Sequence, residues 1–201
     1  MKINFTQIKQ KTVYGQSLDL LSSPTHKRVN IDEFTIDRYF TIAKYKTAFY
    51  STVLPIRLAL YYARISDAQL HRQLEQIMVK MGIFWQIQDD YLDAFGNPQI
   101  TGKIGTDIQD GKCCWPAVMS LKLANNVQRD VLHQHFGINQ PSSVEQVKQV
   151  YKELHIEDLY HEHEDQLFAE LLTLSQQFCE RNKMPPSIFK ILLSILHRRK
   201  M

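Results

Sequence analysis

The sequence predicts an all-α protein that forms a single domain; two observations indicate the fold class and a third indicates the single domain. Apolar positions recur at intervals of three and four over most of the 201 residues, which is the spacing of one face of a helix. Only 7 glycines and 7 prolines interrupt these patterns. A composition of 44% hydrophobic and 22% charged residues suits one domain with a sizeable core, so residues 1–201 are expected to form a single unit.

Charge and cysteine content exclude several classes of protein. A net charge of +3 is too small to indicate a nucleic-acid binder. No apolar run reaches the roughly 18 residues that a membrane span needs, and the first residues lack the apolar core of a signal peptide. Three cysteines do not make a disulfide framework, so a cytoplasmic protein in a reducing compartment is expected.

The first predicted helix covers residues 2–21 and carries two polar side chains on one face. Gln16 and Asp19 are three positions apart, which places them side by side on a helix. They are either an ordinary polar edge or, in the case of Asp19, an oxygen ligand that faces a metal site.

A second helix is predicted from residue 33 to residue 62. Asp32 is a candidate for its N-cap, and Pro55 is expected to bend or break it, because proline removes a backbone hydrogen bond. Lys46 and Thr47 lie among aromatic residues just before that proline. The lysine either extends its ammonium group to solvent or holds an anion such as a diphosphate.

The third predicted helix, residues 67–95, concentrates carboxylates beside its apolar stripe. Helical periodicity places Gln86, Asp89 and Asp93 on one face and directs Asp90 elsewhere. Carboxylates at positions i and i+4 on a face that borders the core repel each other unless a cation, or a cationic partner, lies between them. Mg²⁺ takes oxygen ligands and is usually held by one or two carboxylates together with substrate phosphates. The alternative is a solvated acidic patch near a helix end.

A glycine-rich loop follows this helix over residues 95–112. It contains four glycines and carries Lys103 and Lys112. A flexible backbone with lysines next to an aspartate-bound cation is able to close over a phosphate. An ordinary polar surface loop is the other interpretation.

The remaining chain is predicted to be helical as well. Pro116 fits the first turn of a helix that starts near Trp115, and Ser142 or Ser143 is a candidate N-cap. The predicted helices cover residues 114–136, 144–154, 157–182 and 187–199.

Two polar clusters near the C-terminus have simple explanations. Residues 161–165 read His-Glu-His-Glu-Asp, and their two histidines face different sides of a helix, so a solvated helix face is expected rather than a zinc site. The sequence ends with Arg198, Arg199 and Lys200 before a final methionine. The helix dipole alone favours basic residues there, although such a cluster is also able to bind phosphate.

Five segments together resemble the farnesyl diphosphate synthases, a family of short-chain trans-isoprenyl diphosphate synthases. In family order they are residues 15–20 (GQSLDL), 44–50 (KYKTAFY), 84–93 (FWQIQDDYLD), 102–110 (GKIGTDIQD) and 198–200 (RRK). The resemblance implies an all-α, isoprenoid-synthase-type helical bundle around a central cavity. It also implies an enzyme that uses Mg²⁺ to condense isopentenyl diphosphate with an allylic diphosphate, dimethylallyl or geranyl.

The same resemblance implies roles for individual residues. Those expected to bind Mg²⁺ are Asp89 and Asp93, with Asp19 and Asp90 as further candidates. Those expected to bind the substrates are Gln16, Lys46, Thr47, Gln86, Lys103, Lys112, Arg198, Arg199 and Lys200. Catalytic roles are expected for Lys46, Thr47 and Gln86, which would stabilise the departing diphosphate and the developing carbocation.

One departure from the family pattern affects every functional expectation. Family members carry two aspartate-rich motifs, with an arginine pair after the first, whereas DDYLD is the only DDxxD in this sequence. The pattern therefore matches only the C-terminal part of a synthase. We expect an incomplete bundle with open apolar faces and little or no activity of this chain alone. Any missing N-terminal segment could carry a targeting signal, and a homodimer is expected of the full-length family.

Two other functions remain open at this stage. The chain could be a truncated, non-catalytic paralogue that serves as a helical interaction partner. It could also be a terpene cyclase that uses DDYLD as its sole ionising motif, although the loop at residues 102–110 and the basic end argue against a cyclase. Product chain length cannot be assigned, because the family sets it beside the first motif.

Overall fold

The computed structural model describes residues 5–24 and 28–197, which form helices, with the longest described connection between them at residues 102–114. The α-helices are α1 (Phe5–Ser22), α2 (Ile36–Ala43), α3 (Leu54–Tyr62), α4 (Ala68–Phe95), α5 (Pro98–Thr101), α6 (Trp115–Leu123), α7 (Asn126–His135), α8 (Pro141–Glu153), α9 (Ile156–Asn182) and α10 (Ser187–Leu196). A 3-10 turn (Ile31–Glu33) and a π-helical segment (Lys44–Val53) complete them. The described residues contain no β-strand, and the all-α prediction is confirmed.

Helix α4 is the central element and has the predicted bounds. Asp67 is its N-cap and accepts a hydrogen bond from the backbone N–H of Leu70 at 2.6 Å. The helix packs mainly against the π-helical segment and α9. It therefore presents its C-terminal carboxylates between elements from both halves of the chain.

The predicted helix at residues 33–62 is divided into separate elements. Thr35, not Asp32, caps α2, because its hydroxyl accepts from the backbone of Arg38. Asp32 lies inside the 3-10 turn, which Asn30 caps. Pro55 falls in the first turn of α3, where its missing N–H costs little. The backbone angles of Val53 and Leu54 are helical, so Pro55 marks a change from π-helical to α-helical hydrogen bonding and not an interruption of the helix.

The π-helical segment brings Lys46 against α1 at a glycine. A Cβ atom added to Gly15 would lie 2.0 Å from the backbone nitrogen of Lys46, which is far inside van der Waals contact. Only glycine permits this close approach of two backbones. Because the helices touch here, the site residues one turn further along α1 lie next to the segment that carries Lys46.

The region predicted as one helix at residues 114–136 is two helices. Helix α6 starts at Trp115 with Pro116 in its first turn, as predicted. Asn125 then begins α7 with a capping box, in which its side chain accepts from the backbone of Gln128 and its own N–H donates to the side chain of Gln128. Satisfying these donors makes a new helix start more favourable than continuation.

Helix α8 begins earlier than predicted. Its first residue is Pro141 and its N-cap is Gln140, so Ser142 and Ser143 lie inside the helix and the predicted serine cap is wrong. Proline at the first helical position explains the shift, since its fixed φ suits that position. The bounds predicted for α9, residues 157–182, hold to within one residue.

The apolar residues form two clusters, and one face of α1 remains uncovered. Trp115 and Tyr151 are among the largest buried side chains of the first cluster, and Phe84 and Met78 of the second. On α1 the uncovered apolar side chains within the described residues are Phe5, Val13, Tyr14, Leu20 and Leu21. A helix that is apolar on several sides is normally covered on several sides. None of the helices in residues 5–24 and 28–197 is long and apolar enough to cross a membrane.

Candidate functional site

Asp19 joins the two lysines that the sequence assigned to diphosphate binding. Its side chain is 7% exposed, and its Oδ2 lies 3.0 Å from the Nζ atoms of both Lys46 and Lys112. Three elements therefore meet at one carboxylate: α1, the π-helical segment and the end of the glycine-rich loop. Because Oδ2 already serves two cations, the arrangement favours a counter-ion role for Asp19 over that of a metal ligand.

The charge of Lys46 is stabilised by its surroundings. Burial alone would lower the pKa of this ammonium group, but Asp19, Asp90 and Asp107 outweigh that effect and raise it. Lys46 is thus kept as a cation, and the sequence-based alternative of a lysine that only extends to solvent does not fit its 26% exposed side chain.

A chain of hydrogen bonds connects Thr47 to Asp90. The Thr47 hydroxyl donates to Oε1 of Gln86, whose Nε2 donates to Oδ1 of Asp90 at 2.8 Å. The backbone N–H of Trp115 donates to the other carboxylate oxygen at 2.9 Å. Asp90 is 5% exposed and lines the same pocket as Gln86, so the expectation that it points elsewhere is wrong. Gln86 and Asp90 share a face because they are four residues apart on α4.

Asp93 organises the glycine-rich loop. Its two carboxylate oxygens accept backbone hydrogen bonds from Thr106 at 3.2 Å and from Asp107 at 2.9 Å. A Cβ on Gly105 would lie 1.8 Å from the Asp93 carbonyl oxygen, so the loop can pack this closely only with glycine there. The loop is therefore bound to the aspartate motif and does not run freely over the surface.

Asp89 lies at the outer edge of the site. Its side chain is 41% exposed, and its Oδ1 is 3.2 Å from Nζ of Lys103, which is 49% exposed. An ion pair this exposed contributes little to stability, roughly 0–1 kcal/mol. Lys103 can thus exchange Asp89 for another anion at small cost.

The site contains more carboxyl groups than lysines, and two of the carboxyl groups have raised pKa values. Burial raises the pKa of Asp107 to about 8, with further contributions from Asp90 and Asp93. Burial likewise raises the pKa of Asp90 to about 7, although hydrogen bonds from Gln86 and Trp115 oppose the shift. Crowded carboxylates that hold protons near neutral pH form a site in which an added cation would relieve repulsion.

The donor set fits a hard divalent ion in chemistry. Carboxylate oxygens are the ligands that Mg²⁺ prefers, and one or two of them suffice when substrate phosphates and water complete the shell. Within residues 5–24 and 28–197, no three His, Cys, Asp or Glu side chains are grouped so that they could hold a metal on their own. The carboxylates of the site therefore suit a Mg²⁺ ion that takes its remaining ligands from a bound phosphate and from water.

Several predicted residues lie away from this centre. Gln16 is exposed on α1 and makes no hydrogen bond to the site in the part of the chain that the structure describes. Arg198, Arg199 and Lys200 lie outside the described residues. In the histidine cluster the expected solvated face is only partly present, because Glu164 is 3% exposed and His163 stacks on Trp115 at 5.6 Å.

The pocket between these elements, about 50 Å³ in volume, includes residues that sequence reasoning missed. Asp107 contributes a carboxylate, and Tyr39, Cys113 and Cys114 form part of the wall. The position of Asp107 in the loop that carries Lys103 and Lys112, two lysines predicted to bind diphosphate, was the available signal. No periodic pattern exists in a loop to direct its side chain inward, so periodicity could not find it.

Comparison with protein families gives one match that spans most of the chain. The family model described as polyprenyl synthetase matches residues 2–154. The curated relatives include the farnesyl pyrophosphate synthases of Rattus norvegicus, 42% identical over 196 residues, and Bos taurus, 41% identical over 196 residues. Each alignment covers 98% of this chain and 55% of the relative, so the chain spans about half the length of these proteins.

A similar structure has also been solved. The T. brucei farnesyl diphosphate synthase in complex with risedronate superposes with a TM-score of 0.89 at 28% sequence identity. The superposition covers 98% of this chain and 58% of that one. The helical arrangement described above is thus the arrangement found in part of that larger protein.

Proposed function

The chain belongs to the polyprenyl synthetase family, and from this we propose that residues 1–201 are the C-terminal portion of a prenyltransferase of farnesyl diphosphate synthase type. The complete enzyme would condense isopentenyl diphosphate with dimethylallyl or geranyl diphosphate. One observation carries the proposal: Lys46 and Lys112 meet at Asp19, and Lys46 interacts with Asp90 and Asp107. A diphosphate site needs cationic side chains, and it needs carboxylates nearby that can bind a metal ion together with the diphosphate.

Three lysines would bind the allylic diphosphate. Lys46 and Lys112 are pre-positioned by Asp19, so little side-chain entropy is lost when a phosphate binds. Lys103 lies on the loop and is paired only through an exposed contact with Asp89. Its side chain would turn from Asp89 to the phosphate. The predicted contacts of Gln16, Arg198, Arg199 and Lys200 with substrate remain part of this proposal.

Thr47 and Gln86 would stabilise the allylic cation that forms when the diphosphate departs. The Thr47 hydrogen is engaged by Gln86, and the Gln86 amide hydrogens face Asp90. The lone pairs of the Thr47 oxygen therefore remain free to face the positive charge of the allylic cation. The bonds to Asp90 keep this orientation fixed before substrate arrives.

Asp89 and Asp93 would hold Mg²⁺ together with the diphosphate. Asp90 and Asp107 would be further oxygen donors nearby. Asp19 would be their neighbour on the other side of Lys46. When bound, Mg²⁺ would neutralise charge on the departing diphosphate and so lower the barrier to ionisation. The chain supplies only one aspartate-rich motif. We therefore propose that residues 1–201 by themselves turn over little or no substrate.

A chimera tests this function directly. Residues 1–201 would replace the matching 196-residue part of the Rattus norvegicus farnesyl pyrophosphate synthase, and Mg²⁺-dependent formation of farnesyl diphosphate would be measured. The expected result is activity that disappears in the chimera with Lys46→Ala or Asp89→Ala. A chimera that is folded by circular dichroism and yet inactive contradicts the proposal. The isolated chain, assayed in parallel, is expected to show no product.

We also propose a cytoplasmic homodimer for the complete protein. The cysteines Cys113, Cys114 and Cys179 are free and buried, which suits a reducing compartment. The open apolar face of α1, with Tyr14 and Leu21 exposed, needs cover from missing helices or from a second subunit.

A further inference from the structure

Gln88, immediately before the aspartates of α4, is a buried polar residue that the proposed function does not use. Its side chain is 0% exposed. The Nε2 atom donates to Oε1 of Glu164 at 2.9 Å and to the backbone oxygen of Leu196 at 2.6 Å. One amide group thus connects α4 to α9 and to the end of α10.

Glu164 is held in place for this contact. It is 3% exposed, and the same Oε1 accepts a hydrogen bond from the hydroxyl of Tyr160 at 3.1 Å. The Tyr160 ring in turn stacks on Tyr91 of α4, with ring centroids 3.7 Å apart and planes 4° from parallel. Glu164 is therefore fixed by a second hydrogen bond, from a tyrosine that is itself packed against α4, and this gives the Gln88 amide a well-defined partner.

Among the described residues, the side-chain amide of Gln88 forms its hydrogen bonds through nitrogen and not through oxygen. Its Oε1 is buried and has no hydrogen-bond partner within the described chain. The hydrogen bonds of the Gln88 side chain within the described chain are thus made by its Nε2 group. Rotation of the amide would direct its oxygen at a carboxylate and a carbonyl, which excludes the flipped orientation.

The bond to Leu196 caps the C-terminus of α10. The last carbonyls of a helix have no partner inside the helix, and Gln88 satisfies one of them from outside. The next residue, His197, packs its ring against Phe168 of α9 at 4.3 Å. The sequence then continues directly into Arg198, Arg199 and Lys200.

We propose that Gln88 and Glu164 are positioning residues that fix the end of α10, from which the sequence continues into the basic residues 198–200, relative to the aspartate motif. This rests on the proposed function, in which that segment binds a diphosphate. Neither residue needs to touch the ligand. Gln88 acts by its hydrogen bond to the Leu196 carbonyl, which holds the end of α10 at the residue that precedes Asp89.

Amide hydrogen exchange tests the anchoring without any ligand. In Gln88→Met, exchange at residues 193–197 is expected to rise about fivefold, the factor that one net hydrogen bond of ordinary strength represents. Glu164→Gln should leave exchange unchanged, because its side-chain oxygen still accepts from Gln88. Ser175→Ala is the control, since the Ser175 hydroxyl is buried in α9 without a described hydrogen bond. Unchanged exchange in Gln88→Met overturns the proposal.

Binding of inorganic pyrophosphate with Mg²⁺ tests the functional consequence. Gln88→Met should weaken binding about fivefold in the full chain and have no effect in a chain that ends at His197. Equal weakening in both chains would indicate a general structural effect and overturn the proposal. If Gln88→Met does not fold, Gln88→Met/Glu164→Met replaces the buried pair with apolar groups of similar shape and serves the same comparison.

The two proposals fail in different ways. If the unaltered chain does not bind pyrophosphate, the proposed function is contradicted, and the functional part of this proposal fails with it. If the unaltered chain binds but the Gln88 variants bind equally well, only the positioning role is contradicted.

Discussion

The carboxylate of Asp19 lies 3.0 Å from the ammonium group of Lys46, and the two residues come from different helical elements that touch at Gly15. The pair is mostly buried, with 7% of the Asp19 side chain and 26% of the Lys46 side chain exposed. Forming a buried ion pair of this kind costs desolvation free energy, and its main effect is to fix the positions of the two charged groups. Here it fixes a lysine that the proposed function assigns to the diphosphate.

Asp19→Asn should destabilise the fold. The substitution leaves Lys46 and Lys112 next to each other without their shared counter-ion. Removing one member of a fully buried pair costs roughly 3–5 kcal/mol, and the partial exposure of the lysines reduces this to about 2 kcal/mol. Urea denaturation measures the loss. Asp110→Asn, at an exposed position of the same loop region, should change the free energy of unfolding by less than about 0.5 kcal/mol.

Gly15→Ala should disrupt the contact between α1 and the π-helical segment. The new Cβ would lie 2.0 Å from the Lys46 nitrogen, and neither atom belongs to a flexible side chain. Overpacking of a tight contact costs about 1–3 kcal/mol and sometimes more. Chemical denaturation should give a lower free energy of unfolding for Gly15→Ala than for Ser17→Ala, and the difference measures the clash, because Ser17 is an exposed position on the same helix. Equal stability of the two variants would show that the close approach is not required.

The stability of the chain should fall as the pH rises from about 5 to about 8. Burial raises the pKa of Asp107 to about 8 and that of Asp90 to about 7, so the folded chain retains protons that the unfolded chain releases above its ordinary carboxyl pKa of 3.8. Stability therefore decreases with pH across that window. Asp107→Asn removes one of these groups and should flatten the curve. Parallel curves for the variant and the unaltered chain would exclude Asp107 as a source.

Thr47→Val should leave diphosphate binding intact but impair catalysis in the chimera with the Rattus norvegicus enzyme. Valine keeps the shape of the buried side chain and removes the oxygen that bonds Gln86. An electrostatic contribution realised only in the transition state lowers kcat and leaves KM nearly unchanged. A fall of about tenfold or more in kcat is expected. A rise in KM at constant kcat would instead assign Thr47 to substrate binding.

Features set by periodicity were predictable from the sequence. The bounds of α4 followed from its apolar stripe, and the family motifs singled out the three lysines together with Asp89 and Asp93. The break between α6 and α7 was not predicted, because Asn125 starts a capping box within a pattern that remains helical on both sides. Local hydrogen bonds outweighed the periodic signal there.

Side-chain directions near the site depended on tertiary contacts. Asp90 was expected to face away from Asp89 and Asp93, although its spacing of four from Gln86 places Gln86 and Asp90 on one face of α4. The amide of Gln86 and the backbone N–H of Trp115 hold Asp90 in the pocket. Trp115 lies 25 positions away in sequence, and no helical projection includes it. The bridging role of Asp19 depends likewise on residues from three separate elements, which only the folded chain brings together.

Binding of pyrophosphate to residues 1–201 tests the central claim, that this chain carries a diphosphate site built on Lys46 and Lys112. Isothermal titration calorimetry with Mg²⁺ should give saturable one-to-one binding. The variant Asp19→Asn/Lys46→Met/Lys112→Met leaves no buried carboxylate unpaired at this position, and it should bind at least about tenfold more weakly. Lys148→Met, an exposed lysine of α8, changes the net charge equally and should bind normally. Equal affinity of the triple variant and the unaltered chain, or no saturable binding at all, would contradict the claim.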